Sequence, residues 1–101
     1  MATTIQLRRY DLVPGERDAF LAWWRERVLP VRKAHGFEVV FAYLVPETDE
    51  FIWAVSRDGD ADEFRRAEDE YVQAPDREAA FAGIPERVRA LTTHLVEAIA
   101  V

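Results

Sequence analysis

The sequence predicts an α+β domain with a four-stranded antiparallel sheet and helices on one face of that sheet. Apolar residues follow the order strand, helix, two strands, helix and a final strand along the 101 residues of the chain. The two middle strands are apolar on both sides, whereas a strand with one solvated face would alternate apolar and polar residues. The two helices can cover only one face of the sheet, so we expect a homodimer in which a second copy covers the other face.

Composition and the opening residues favour one cytoplasmic globular domain. Half of the 101 residues are apolar, 12% are aromatic and 32% are charged, as in folded proteins. The chain has no Cys, which excludes disulfides, thiolate zinc sites and cysteine nucleophiles and favours the cytosol. The first residues lack a basic segment followed by an apolar run, and no apolar stretch approaches the roughly 18 residues of a membrane span, so we expect no membrane partner.

Charge and missing motifs narrow the function classes. The net charge is −6, and seven acids against two bases lie between Asp58 and Tyr71, which repels phosphate backbones and argues against a nucleic-acid partner. We interpret this acidic run as a solvated helix face. The sequence has no glycine-rich phosphate loop and no nucleophile elbow, which excludes nucleotide enzymes and serine hydrolases. The two His residues show no spacing typical of metal ligands, so we expect no metal and no cofactor.

The first strand is predicted from Thr3 to Val13, where apolar and polar residues alternate until Pro14-Gly15 ends the strand. From Glu16 the spacing of apolar residues changes to that of a helix. We expect Pro30 to kink or restart this helix and His35-Gly36 to end it, with His35 complementing the helix dipole. The apolar face of the helix carries Phe20, Trp23, Trp24, Val28 and Val31.

Two apolar runs, from Phe37 to Val45 and from Phe51 to Ser56, predict a β-hairpin. Both runs are rich in β-branched and aromatic residues, and the segment from Pro46 to Glu50 supplies the connecting turn. In the first run the side chains on both sides are apolar, so both faces of the sheet need a cover. One side is predicted to carry Val39, Phe41 and Tyr43, and the other Val40, Ala42 and Leu44.

A second helix is predicted after Asp60, which together with Glu63 has the pattern of a capping box. We expect this helix to end near Ala74, because Pro75 disfavours helical geometry in the residue before it. A short helical turn is predicted from Asp76 to Ala82, where Gly83 ends it.

The tail of the chain allows two interpretations. Apolar residues from Ile84 to Leu95 fall at helical spacing, yet the run from His94 to Ile99 also suits a strand. A fourth strand beside the first completes the sheet most economically. We therefore predict a short helix from Glu86 to Leu91 and a last strand from about Thr93 to Ala100.

The opening residues resemble a known family. The segment from Ile5 to Gly15, with the sequence IQLRRYDLVPG, is similar to the start of NIPSNAP-type proteins, and the likeness continues through the hairpin to the segment from Ala74 to Arg77. The resemblance implies a dimeric α+β barrel, in which ferredoxin-like subunits carry helices on one sheet face and meet through the other. Phe81 stands where the family usually has a Trp. The first helix also matches the family at Phe20, Trp24, Leu29-Pro30 and His35-Gly36.

Arg8, Tyr10 and His94 are the candidate catalytic residues. Arg8 and Tyr10 lie two residues apart on the first strand and therefore point to the same face. There, Arg8 can bind an anionic or enolate oxygen while Tyr10 donates a hydrogen bond. His94, near the start of the last strand, is a candidate general base, since histidine titrates near neutral pH. The alternative roles are structural, with Arg8 paired to an acid, Tyr10 bridging core and rim, and His94 held by a backbone group.

The candidate ligand-binding residues are three aromatic side chains, Trp24, Tyr43 and Trp53, and Arg27. Three Trp in a chain of this size suit a pocket that stacks a planar ligand, although core packing is their alternative role. The helical wheel places Arg27 inside the apolar face, where a guanidinium needs a carboxylate, an aromatic ring or a ligand. Stacking on a neighbouring Trp is the alternative role of Arg27.

These residues favour a small-molecule-binding protein. We expect a dimeric barrel that binds an aromatic or polyketide-like compound and acts as a cofactor-independent cyclase, isomerase or monooxygenase, activities found among related families of the implied fold. The alternative is a non-enzymatic interaction or scaffold protein with a filled barrel and its function on the acidic helix. A further alternative is a haem-binding module with His94 or His35 as the axial ligand.

Overall fold

The computed structural model describes residues 2–101 as a layer of helices packed on a four-stranded sheet. Within these residues no helix is long and apolar enough to cross a membrane. The strands are β1 (Thr3–Leu12), β2 (Glu38–Val45), β3 (Glu50–Asp58) and β4 (Val88–Val96). The helices are α1 (Arg17–Trp23), α2 (Leu29–Ala34), α3 (Ala61–Gln73) and α4 (Pro75–Phe81), and a π-helical segment (Trp24–Val28) joins α1 to α2.

The strands form one antiparallel sheet in the order β2-β3-β1-β4, which confirms the predicted α+β fold class and its four-stranded sheet. Residues that pair across antiparallel strands point to the same face. Arg8 pairs with Trp53, and the Trp53 ring packs against Trp24 of the helical layer with centroids 5.2 Å apart. Leu7 pairs with His94 on β4. Arg8 and the residues paired with it therefore face the helices, whereas Leu7 and its partner His94 face away from them.

The π-helical segment sets which residues of the first helical region are buried. Phe20, Trp24, Val28 and Arg32 are all buried at a constant spacing of four residues. In an α-helix of 3.6 residues per turn, steps of four drift around the axis, and the wider π turn offsets that drift. This shift corrects the helical wheel drawn from the sequence, because Arg27 is exposed while Arg32 occupies the buried face. The helical path restarts at Leu29–Ala34 around Pro30, as predicted.

The second helical region follows the sequence prediction closely. The Asp60 side chain accepts a hydrogen bond of 2.9 Å from the Glu63 backbone N–H, and the Glu63 carboxylate accepts one of 3.2 Å from the Asp60 N–H. This reciprocal pair is the predicted capping box. The helix ends before Ala74, whose extended backbone precedes Pro75. Together, α3 and α4 form the second half of the layer above the sheet.

The core between helices and sheet is dominated by aromatic rings. Phe20, Phe37, Phe64 and Tyr71 are each at most 2% exposed, and Trp53 at the centre of the sheet is 1% exposed. Burial of one such side chain contributes roughly 1.5 to 3 kcal/mol to folding. The helical layer is therefore packed against the face of the sheet that carries Trp53.

The last strand differs from the prediction at both ends. It spans Val88–Val96, so the helix predicted from Glu86 to Leu91 is wrong and the strand predicted from about Thr93 to Ala100 begins and ends too late. β4 starts at Val88 because its backbone pairs with the outer edge of β1. This pairing satisfies the backbone groups of β1 from Ile5 to Leu12. Leu91 and Leu95, four residues apart, share one face in a strand as well as in a helix. Their spacing therefore did not distinguish the two structures.

The face of the sheet turned away from the helices, termed the open face, carries Ile5, Leu7, Phe41, Tyr43, Ile52, Ala54, His94 and Val96. Tyr43 is 66% exposed and stacks on Phe41 with ring centroids 5.2 Å apart. A β-bulge between Val39 and Phe41 moves Val39 to the helix side, which corrects the alternation predicted for this strand. The centre of this face is apolar, its margins carry polar residues such as Arg9, Glu38 and Thr92, and no helix of residues 2–101 packs on its centre.

Candidate ligand cavity

A cavity of about 300 Å³ lies between the sheet and the helices. Its size suits a small organic molecule. Residues of β1, β3, the helices and the segment leading into β4 contribute to its wall. The wall is rich in aromatic rings, namely Tyr10, Phe20, Trp23, Trp24, Trp53, Tyr71 and Phe81.

The aromatic rings of the wall hold one another in fixed positions. Tyr10 and Trp53 meet edge to face with centroids 6.1 Å apart, and Trp24 meets Trp53 in the same manner. Trp23 packs edge to face on Phe81 at 4.8 Å and donates a hydrogen bond of 2.9 Å from Nε1 to the Ala80 carbonyl. Such edge-to-face pairs are directional, so the cavity is a preformed apolar site.

Arg8 and Tyr10 form a polar group inside this aromatic wall. Arg8 Nε donates a hydrogen bond of 2.9 Å to Tyr10 Oη, and Arg8 Nη1 donates one of 2.6 Å to Gln6 Oε1. The Arg8 guanidinium also lies 5.6 Å from the Trp53 ring centroid. Because the Tyr10 oxygen accepts from Arg8, its own O–H is left to donate. The pair can therefore stabilise a negatively charged oxygen by one hydrogen bond and one nearby positive charge.

Arg32 and Glu68 are residues of the cavity wall that the sequence did not reveal. Arg32 is 3% exposed, and its Nη2 donates a hydrogen bond of 3.0 Å to Glu68 Oε1. A second hydrogen bond joins Arg32 Nη1 to Glu68 Oε2, and Glu68 Oε1 lies 3.6 Å from Arg8 Nη1. The Arg32 guanidinium stacks 4.1 Å from the Tyr71 ring centroid. Glu68 belongs to the acidic segment that was predicted to be solvated, yet its side chain points inward. Its spacing of four residues from buried Phe64 was the feature of the sequence that could have indicated this orientation.

Four buried N–H groups in the wall have no acceptor among residues 2–101. They are Nε1 of Trp24, Nε of Arg32, Nε1 of Trp53 and Nε of Arg77. All four residues line the cavity. An unpaired buried donor costs roughly 1 to 3 kcal/mol, so these four groups lower the stability of the protein around the cavity.

Burial and charge act in opposite directions on Tyr71 in the wall. Burial raises the pKa of the Tyr71 hydroxyl, while the positive charges of Arg32 and Arg77 lower it in part. The net direction is upward, so Tyr71 stays neutral over a wider pH range than an exposed tyrosine. The neutral phenol therefore adds no negative charge beside the two guanidiniums.

The structure brings only some of the predicted site residues together. Arg8, Tyr10, Trp24 and Trp53 line the cavity. The other three lie outside its wall: His94 points to the open face opposite Arg8 and Tyr10, Tyr43 lies on that same face, and Arg27 is exposed on the helical layer. The predicted grouping of His94 with Arg8 and Tyr10 does not occur within one chain, because β4 pairs with β1 in a register that sets His94 beside Leu7.

His35 also lies outside the cavity wall. Its Nε2 is hydrogen-bonded to Asp76 Oδ1 at 2.9 Å, and it occupies the C-terminal end of α2, as predicted. The hydrogen bond from His35 lowers the pKa of the exposed Asp76 carboxyl. The contact ties the end of α2 to the start of α4. Neither His residue lines the cavity.

Comparisons with known proteins identify the fold. No family model and no curated protein matches the chain. A NIPSNAP domain protein from Burkholderia xenovorans matches with a TM-score of 0.83 at 12% identity, over 96% of this chain and 95% of that chain. A nipsnap family protein of unknown function from Agrobacterium tumefaciens matches with a TM-score of 0.80 at 14% identity, over 93% of this chain and 86% of that one.

A second group of structures is also similar. A putative antibiotic biosynthesis monooxygenase from Chloroflexus aurantiacus matches with a TM-score of 0.67 at 16% identity, over 99% of this chain and 96% of that chain. Identities this low establish the fold and leave the activity open. The resemblance predicted from the opening residues is confirmed at this level: the chain has the ferredoxin-like α+β fold of the NIPSNAP domain proteins.

Proposed function

We propose that the chain binds a small planar aromatic or polyketide-like molecule in the cavity and acts on it as a cofactor-independent enzyme of the cyclase, isomerase or monooxygenase kind. The observation that carries the proposal is the preformed cavity of about 300 Å³ with aromatic walls and the Arg8 and Tyr10 pair inside it. Planar rings stack favourably on such walls. The fold likeness to a putative antibiotic biosynthesis monooxygenase supports the last of the three reaction classes.

The chemical role of the polar pair follows from its hydrogen bonds. Cyclisation, isomerisation and oxygenation of phenolic or polyketide compounds share a step in which an enolate or phenolate oxygen bears negative charge. The Tyr10 O–H donates to that oxygen, and the Arg8 guanidinium, held 2.9 Å from Tyr10 Oη, stabilises its charge. A ligand that fills the cavity displaces water from around this pair, which strengthens both interactions.

The alternative, a scaffold protein with a filled interior, has less support. Its premise is a dry, packed space beside Arg8, whereas Arg8 lines the cavity. The ion pair of Arg8 with Glu68, which that alternative also expected, leaves the cavity in place. The ligand-binding proposal accounts for the cavity and for the polar pair inside it.

We also propose that the chain works as a homodimer in which two open faces meet. The centre of the open face is apolar, with Leu7, Phe41 and Ile52 in register beside buried Ala54. Exposed Tyr43 widens this apolar surface. A second copy supplies a surface of identical shape, and apolar burial drives the association. His94 then lies in the interface, which gives it a role in assembly.

Titration of the purified protein with 2-naphthol, followed by tryptophan fluorescence, tests the ligand proposal. All three Trp are affected by a ligand in this space, because Trp23, Trp24 and Trp53 line the cavity. We expect saturable quenching that is weakened in Trp24→Phe and preserved in Arg27→Met, a change outside the wall. Absence of quenching across 2-naphthol and a panel of planar phenols would contradict the proposal.

A further inference from the structure

Four arginines line the cavity, and three of them are neutralised by carboxylates. Arg8 and Arg32 both contact Glu68, and Arg87 Nε donates a hydrogen bond of 3.2 Å to Glu16. The fourth, Arg77, forms no ion pair with any carboxylate of residues 2–101. Arg77 is half-buried, so its guanidinium is partly removed from water without the charge of a carboxylate partner.

The neighbours of Arg77 explain why it lacks an acidic partner. Asp76, the adjacent acid, is turned to His35 Nε2 at 2.9 Å. Glu86, the other acid of the wall besides Glu68, accepts a hydrogen bond of 3.1 Å from the Val88 backbone N–H. The nearby carboxylates therefore have other partners, and the positive charge of Arg77 is left to the cavity.

Aromatic contacts hold the Arg77 side chain in place. Its guanidinium carbon lies 3.7 Å from the Phe81 ring centroid and 6.0 Å from that of Tyr71. Phe81 is itself packed against Trp23, which is anchored by its hydrogen bond to Ala80. A guanidinium stacked on a ring directs its N–H groups outward in its own plane, and Nε of Arg77 is one of the buried donors without an acceptor.

We propose that Arg77 binds an anionic group of the ligand, so that the ligand is a planar aromatic or polyketide-like acid. This inference rests on the proposed function and names the class of molecule that the cavity prefers. A carboxylate matches the guanidinium geometry with two parallel hydrogen bonds. The ring of the ligand lies against the aromatic wall, and its ionisable oxygen at the reacting end is served by the separate pair of Arg8 and Tyr10.

The test compares ligands of one shape and different charge. Isothermal titration calorimetry at neutral pH measures the binding of 2-naphthoate and of its neutral carboxamide, 2-naphthamide, to the full chain. We expect the carboxylate to bind about tenfold tighter or more, because charge-assisted bidentate hydrogen bonds are roughly twice as strong as neutral ones. In Arg77→Met this preference disappears while the affinity for 2-naphthamide is unchanged, and in Arg77→Lys it is partly kept.

Arg27→Met is the matched control, since Arg27 is exposed outside the cavity wall, and circular dichroism checks the fold of each variant. Equal affinity of the wild type for both compounds, or an unchanged preference in Arg77→Met, would overturn the role of Arg77 and leave the proposed function standing. Failure of both compounds to bind the wild type would overturn the proposed function together with this inference.

Discussion

Arg32 and Glu68 form a bidentate ion pair in the cavity wall, in which both terminal nitrogens of the guanidinium donate to the two carboxylate oxygens. The two residues lie 36 positions apart, on α2 and α3. Glu68 also reaches Arg8 on β1. One carboxylate therefore joins both halves of the helical layer to the sheet, beside the cavity that the layer encloses.

Loss of the Glu68 charge is expected to destabilise the protein. In Glu68→Gln, the buried guanidinium of Arg32 loses its counter-charge, and we expect the free energy of unfolding to fall by about 2 to 3 kcal/mol. Urea denaturation followed by circular dichroism measures the change. Asp69→Asn is the control, because Asp69 is exposed on the same helix and its change is expected within about 0.5 kcal/mol. Equal stability of the two variants would show that the pair contributes nothing.

Removal of the Tyr10 hydroxyl is expected to weaken the binding of phenolic ligands. Tyr10→Phe keeps the ring in the aromatic wall but removes the donor beside Arg8, which corresponds to roughly 1 kcal/mol, or about a fivefold rise in Kd for 2-naphthol. Fluorescence titration measures this change. Tyr43→Phe removes the same group on the open face and should leave Kd unaltered. A similar rise in Kd in both variants would show that the loss of affinity does not arise in the cavity.

A charge on the open face is expected to prevent dimerisation. Tyr43→Glu places a carboxylate where Tyr43 is 66% exposed in the single chain, so the fold tolerates it, whereas burial against a second copy is costly. Sedimentation velocity at micromolar concentration should show a dimer for the wild type and a rise in the dimer Kd of at least about tenfold for the variant. Lys33→Glu, on exposed surface of α2, should remain dimeric. A monomeric wild type would contradict the dimer outright.

Tyr71 is expected to couple stability to alkaline pH. Burial raises the pKa of Tyr71 in the folded chain above that of the unfolded chain, so its contribution is fully present below the ordinary tyrosine pKa. That contribution is lost as pH rises through the raised pKa of the folded state. Unfolding free energies measured between neutral pH and that range should fall less steeply in Tyr71→Phe than in the wild type. An equal slope in Tyr71→Phe and the wild type would contradict this coupling.

The sequence was informative where local periodicity and tertiary packing agree. The alternation from Thr3 onward, the capping box at Asp60 and the common face of Arg8 and Tyr10 all appear in the structure. These features depend on residues at most a few positions apart. The same local rules made the order of strands and helices predictable.

Features that depend on distant residues were not predictable in this way. The π turn that buries Arg32 in place of Arg27 changes the helical phase without a recognisable signal in the sequence. The register of β4 is set by its pairing with β1, which places His94 on the face opposite Tyr10. The partnership of Arg32 with Glu68 joins positions that only the folded chain brings together. The pairing of these two cavity residues, which lie on different helices, could therefore be identified only from the structure.

The most direct test of the ligand cavity is a two-dimensional ¹H–¹⁵N NMR titration with 2-naphthol, observed at the indole N–H signals of the three Trp. Nε1 of Trp23 is bonded to Ala80, whereas Nε1 of Trp24 and of Trp53 has no acceptor within residues 2–101. Occupation of the cavity should shift the signals of Trp24 and Trp53 in a saturable manner, with little change at His94 on the open face. Unchanged indole signals at saturating ligand, or shifts confined to the open face, would contradict the account.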